Sequence, residues 1–90
     1  MQIQPLEEIE EAVETQTPAK VILFNDEVHS FDEVIYQIIR AVRCDFEKAK
    51  ALTNQVHNYG KAVVYSGEMA RCIEISGILE EIELMTQVEY

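Results

Sequence analysis

Tryptophan is absent from this chain of 90 residues; glycine occurs three times, proline twice and cysteine twice. So few glycines leave no material for a phosphate-cradling loop, and no G-x-S-x-G or H-E-x-x-H run occurs. Cys44 and Cys72 form no disulfide scaffold and lack metal-ligand spacing, so they are expected as reduced, buried or half-buried thiols of a cytoplasmic chain. Cationic side chains are also scarce. Seven Lys and Arg stand against 17 Asp and Glu, a net charge of −10. That balance disfavours a nucleic-acid backbone, which needs clustered cations to displace counterions, and it disfavours an anionic membrane surface for the same reason. No apolar run approaches the ~20 residues of a spanning helix. The first residues have neither the positive flank and apolar stretch of a secretory signal nor the Arg-rich character of a transit peptide.

What is present is an ordinary globular share of apolar residues, 48%, enough for one small domain. Residues 1 to 19 stand apart. Five Glu fall from Glu7 to Glu14, Pro5 and Pro18 bracket the stretch, and it has no aromatic residue. This composition predicts a flexible acidic N-terminal extension, with a transient helical turn through Leu6, Ile9 and Val13. A solubilising tail and a handle for a partner are both compatible with it.

Residues 20 to 90 read as the core domain. Val21-Ile22-Leu23-Phe24 is a short continuous apolar run, the signature of a buried strand. A polar loop follows, Asn25-Asp26-Glu27-Val28-His29-Ser30. Ser30 and Glu33 form a capping box, ahead of apolar residues at Phe31, Val34, Ile35, Ile38, Ile39 and Val42, the spacing of an amphipathic helix. Asp45 caps a second helix, with Phe46, Ala49, Leu52 or Thr53, and Val56 inward, and Gly60 ends it. Lys61 to Tyr65 reads as a second strand. Ser66 is expected to cap a third helix with Met69, Cys72, Ile73 and Ser76 inward, weakened or ended by Gly77. Residues 84 to 89 read as a third strand. The order is β-α-α-β-α-β, an α+β domain with a three-stranded sheet covered on one face by three helices.

Catalysis has little support. There are two histidines, the carboxylates are scattered, and Ser30 and Ser66 are explained as caps. No enzyme activity, cofactor or metal is expected. The Asn25-Asp26-Glu27 loop is a turn with solvated charges or, more sharply, a site for a cation or an ammonium group. His57, near the end of the second helix, either complements the helix dipole or serves as a neutral imidazole acceptor. If the two regions meet, amide oxygen, carboxylate and imidazole nitrogen suit a primary ammonium, which has three donors and no acceptor.

The apolar strand running into Asn25-Asp26-Glu27, the helix containing Phe31 to Val34, and Val56-His57-Asn58-Tyr59-Gly60-Lys61-Ala62 resemble the ClpS family in order and separation. The family's members are adaptors for bacterial Clp proteases that recognise N-end-rule substrates. The resemblance implies binding of proteins that begin with Leu, Phe, Tyr or Trp, and delivery to a AAA+ unfoldase of the ClpA or ClpC type for degradation by ClpP. It implies α-amino contacts from Asn25, Glu27 and His57, with Asp26 at the entrance. It implies a hydrophobic pocket from Phe31, Val34, Thr53, Val56 and Leu84, and unfoldase docking at Glu68. Phe31 and Thr53 stand where the family often has Met, and Glu27 where it usually has Asp. The segment after Tyr65 is shorter than in many members. Two other readings remain at this point. One is a protein-interaction domain resembling the C-terminal domain of the ribosomal stalk protein, using the basic Arg40, Arg43, Lys48 and Lys50. The other is an adaptor that no longer reads N-termini. A monomer is expected in each case.

Overall fold

The computed structural model describes residues 18–90. The acidic extension expected over residues 1 to 19 therefore lies outside the described residues up to residue 17. Its expected boundary shifts, because Ala19 is fully buried and opens the first strand.

Strand β1 spans Ala19–Phe24, helix α1 Phe31–Val42, helix α2 Phe46–Tyr59, strand β2 Lys61–Gly67, helix α3 Met69–Glu80 and strand β3 Thr86–Glu89. The sheet order is β2-β1-β3, and β1 pairs antiparallel on both sides. This central position explains the continuous apolar run of β1. Ala19, Val21 and Leu23 point into the core under the helices, and Ile22 on the opposite face is still buried. The register with β2 passes from Val21 opposite Tyr65 to Ile22 opposite Val63. The extra residue, Val64, forms a bulge and is buried in the core.

The first two helices follow their local signals. The Ser30 hydroxyl accepts from the Glu33 N–H, and the Glu33 carboxylate accepts from the Ser30 N–H. Asp45 accepts from the Lys48 N–H at 2.8 Å. Gly60 ends α2 at φ +85°, a conformation that suits a residue without Cβ. Phe46, expected inward, remains partly exposed against Tyr36 of α1. Gln37 is a polar residue on the buried face of α1. Its amide donates to the Ile78 carbonyl and ties α1 to α3.

Helix α3 departs from expectation. Ser66 lies within β2, and Glu68 is the N-cap, without a side-chain capping bond. The inner face is Met69, Cys72, Ile75 and Leu79, whereas Ile73 is exposed. Ser76 instead bonds Glu80 and Thr86 at the edge. Gly77 neither ends the helix nor touches anything where a Cβ would stand, because burial of Ile75 and Leu79 on either side carries the helix through to Glu80. Arg71 reaches back to the Ala41 carbonyl at 2.9 Å and so serves the unpaired C-terminal end of α1. Leu84, expected in the last strand, precedes it and is buried in the core. No helix among the described residues is long and apolar enough to cross a membrane.

Candidate functional site

The site is assembled where β1 leaves the sheet. Three local signals converge there: the end of the β1 run, the Ser30 cap of α1 and the Gly60 stop of α2. The Asn25 N–H donates to the Gly60 carbonyl at 2.8 Å, which brings the start of the polar loop beside the last turn of α2. The Phe24 N–H donates to the Met85 carbonyl at 3.0 Å, which brings in the chain after α3. Between these ties lies a cavity of about 370 Å³. Asn25, Asp26, Glu27 and His57 line it, together with Phe31, Val34, Thr53, Val56 and Leu84. The loop and helix residues singled out from the sequence thus meet around one space. Glu68 is elsewhere, exposed at the start of α3 next to Gly67, whose partner Ala19 is at the other end of β1.

The cavity has a polar side and an apolar side. Val56 and Leu84 are almost wholly buried, and Phe31 is at the surface with its ring edge-on to His57, centroids 6.4 Å apart. Thr53 lies one helical turn before His57 on the same side of α2. It is buried, and its hydroxyl donates to the Ala49 carbonyl at 2.8 Å.

The polar groups differ in how far they are already engaged. Asp26 is saturated by its own loop. One carboxylate oxygen accepts from the N–H groups of Val28 and His29 at 3.1 and 3.0 Å, and the other meets the His29 ring at 2.7 Å. Burial pushes the Asp26 carboxyl upward, but the hydrogen bonds from the His29 N–H, the His29 ring and the Val28 N–H outweigh it and hold the group below its ordinary value. The second ring nitrogen of His29 faces the Ile82 carbonyl. Both acceptors are satisfied only when each ring nitrogen carries a proton, so this geometry favours the imidazolium form of His29. The hydrogen bond to Asp26 raises His29 above the ordinary histidine value. Burial opposes that shift, and the Ile82 carbonyl and the charges of Asp26 and Glu33 add to it. By contrast, the Asn25 amide, the Glu27 carboxylate and the His57 ring nitrogens have no hydrogen-bond or ion-pair partner among the described residues.

His29 was not singled out in the sequence, although it lines the same cavity. The available signal was an Asp three residues before a His within one turn. Its second partner, Ile82, is 53 residues away. Cys72 is fully buried, and burial pushes its thiol up, which leaves it as packing rather than as a nucleophile.

Residues 14–88 match the family described as ATP-dependent Clp protease adaptor protein ClpS. The chain belongs to the ClpS family. This is a family of protease adaptors, and membership sets aside the ribosomal-stalk-like reading. The fold is similar to that of Agrobacterium tumefaciens ClpS2, solved bound to L-phenylalaninamide. The TM-score is 0.71 at 22% identity, over 82% of this chain and 96% of that one. Human E3 ubiquitin-protein ligase UBR1 is 42% identical over 53 residues, which is 59% of this chain and 3% of UBR1. Human UBR2 is 32% identical over 69 residues, 77% of this chain and 4% of UBR2. This ClpS-family chain therefore spans only a few per cent of the length of those ligases.

Proposed function

We propose that this ClpS-family chain binds proteins through a free, bulky apolar N-terminal residue and delivers them to a AAA+ unfoldase of the ClpA or ClpC type, for degradation by ClpP. One observation carries the reading. Three acceptors without partners, on Asn25, Glu27 and His57, line the same small cavity as Phe31, Val34, Val56 and Leu84. An α-ammonium brings three donors and a positive charge to the polar side. Its side chain fills the apolar side, where burial stabilises it by about 25 cal/mol per Å². The volume is at the low end of the ~300–1,000 Å³ of small-ligand pockets, the scale of one residue rather than a long peptide. L-Phenylalaninamide, the ligand of the similar ClpS2 structure, carries a free α-amine beside an aromatic side chain.

In this reading Asn25, Glu27 and His57 hold the ammonium, and Asp26 shapes the entrance through its loop. Thr53 forms the deep end of the pocket. Glu68, at the other end of β1, is available to the unfoldase. The chain acts as a monomer in the cytoplasm.

The test is a titration with four fluorescent peptides that differ only at the start: Leu, Phe, Val and N-acetyl-Leu. Acetylation removes the charge and leaves the acceptors unfilled, and β-branched Val meets the walls close to Cβ. Binding of free Leu or Phe, with loss for Val and the acetylated peptide, is the expected result. Equal binding of free and acetylated Leu removes the ammonium site, and no binding at all removes N-terminal recognition.

A further inference from the structure

We infer that His29 is the positioning residue of the ammonium site: as a doubly donating imidazolium it fastens the loop carrying Asn25 and Glu27 to the chain segment carrying Leu84. This rests on the ammonium-binding reading above. His29 cannot itself take a ligand donor, because both ring nitrogens already face acceptors, the Asp26 carboxylate and the Ile82 carbonyl. Its contribution is to the shape of the site. The loop over residues 25 to 30 is tied at its start by the Asn25 bond to Gly60 and at its end by the Ser30 capping box. Between those points, Asp26 gathers the N–H groups of Val28 and His29. The His29 ring gives the loop its side-chain bond to the segment before Leu84. Without the ring, the loop has no side-chain bond to the chain after α3 among the described residues.

The charge state of His29 matters twice. A neutral imidazole has one N–H, so loss of the proton breaks either the bond to Asp26 or the bond to Ile82. The cation also balances Asp26. Glu27 is then the carboxylate whose charge faces an incoming ammonium. The charged groups acting on His29 are Asp26 within the loop and Glu33 in the first turn of α1, and the chain after α3 contributes the Ile82 carbonyl. The two histidines consequently make opposite demands. His57 accepts only when neutral, and His29 straps the loop only when charged. Binding should therefore weaken on the alkaline side as His29 loses its proton.

A ligand amine also loses its proton in alkali, so the test compares wild type with His29→Gln, for which that loss is common. Binding of a peptide beginning with Phe is measured from mild acid to mild alkali, so that the series passes through the raised His29 titration. At the acid end the variant should bind about tenfold more weakly, the size of one hydrogen bond to a charged group. The ratio should shrink toward one as wild-type His29 loses its proton. Asp26→Asn should move that convergence to lower pH. In the free wild-type protein, ring-nitrogen NMR should find both His29 nitrogens still protonated above the ordinary histidine value of 6.5. A neutral His29 ring, or a wild-type to variant ratio that is constant with pH, overturns the positioning role while leaving N-terminal recognition intact. Failure of wild type to bind any free-amine peptide overturns recognition itself, and the positioning role with it.

Discussion

Asp26 and Glu27 are neighbouring carboxylates on one loop, and His29 and His57 are the two histidines of the chain. Each pair is alike in chemistry and opposite in circumstance. Asp26 and His29 are bound to each other and to nearby backbone, whereas Glu27 and His57 face the cavity without polar partners among the described residues. The difference teaches that residue type does not separate scaffold from proposed binding surface in this site. The number of partners already made does. One half of the site is closed on itself so that the other half can stay open.

The comparison breaks most visibly at His57. His57→Ala should weaken binding of a Phe-starting peptide by about thirty- to a hundredfold, the loss of an acceptor to a charged donor. Its thermal unfolding should stay with wild type, because the exposed ring makes no hydrogen bond among the described residues. A fall in Tm comparable to a core mutation would show that His57 is scaffold after all. Glu27→Gln keeps the shape and removes the charge. About tenfold weaker binding is expected, with a shallower dependence on salt.

The closed half should register in stability instead. His29 is raised in the folded state, so its stabilisation is complete below the unfolded value of 6.5 and is lost as pH rises through the folded value. Asp26 is lowered, so its stabilisation is present above the unfolded value of 3.8 and is lost as pH falls through the folded one. Denaturant unfolding of wild type minus His29→Gln should therefore differ most between these limits and shrink on both sides. A difference that is flat from mild acid to mild alkali would dissolve the contrast between the halves. Gly60→Ala should cost about 1 kcal/mol from the positive φ alone, since nothing stands within 4 Å of the added carbon. Thr53→Val is the finest cut. Replacing the hydroxyl by a methyl should strengthen binding of Phe-starting peptides by roughly two- to threefold through added apolar contact, and peptide titration reads it directly.

Local chemistry was legible wherever the cause lay within a few residues. Ser30 with Glu33, Asp45 and Gly60 each set a helix boundary by bonds to the nearest turn, and these fixed the approach of the loop to α2. The cavity-lining set was legible because Asn25 to Glu27 and Val56-His57 lie at these boundaries. Helix α3 was not, because Ile73, Ile75 and Ile78 place apolar side chains around much of its circumference, so spacing alone did not choose the inner face. The start of α3 was misplaced because the bulge at Val64 lengthens β2 through Ser66, and Glu68 caps without a side-chain bond. His29 carries no complete local signal, because half of its meaning depends on a carbonyl 53 residues further along the chain. No local pattern encodes that contact.

The central place of β1 has a mechanical side. The chain enters the described fold at residue 18 and runs straight into a strand hydrogen-bonded on both edges. A pull applied there, along the strand, loads the bonds to β2 and β3 together in shear instead of peeling them one by one. The bulge beside Val21 and the short β3 are the weak rungs of that ladder. The cavity opens at the far end of the same strand, where Phe24 gives way to Asn25. A load on the entering chain and a cargo in the cavity would thus act on opposite poles of one six-residue rod, the first held by the whole sheet and the second by a single pocket.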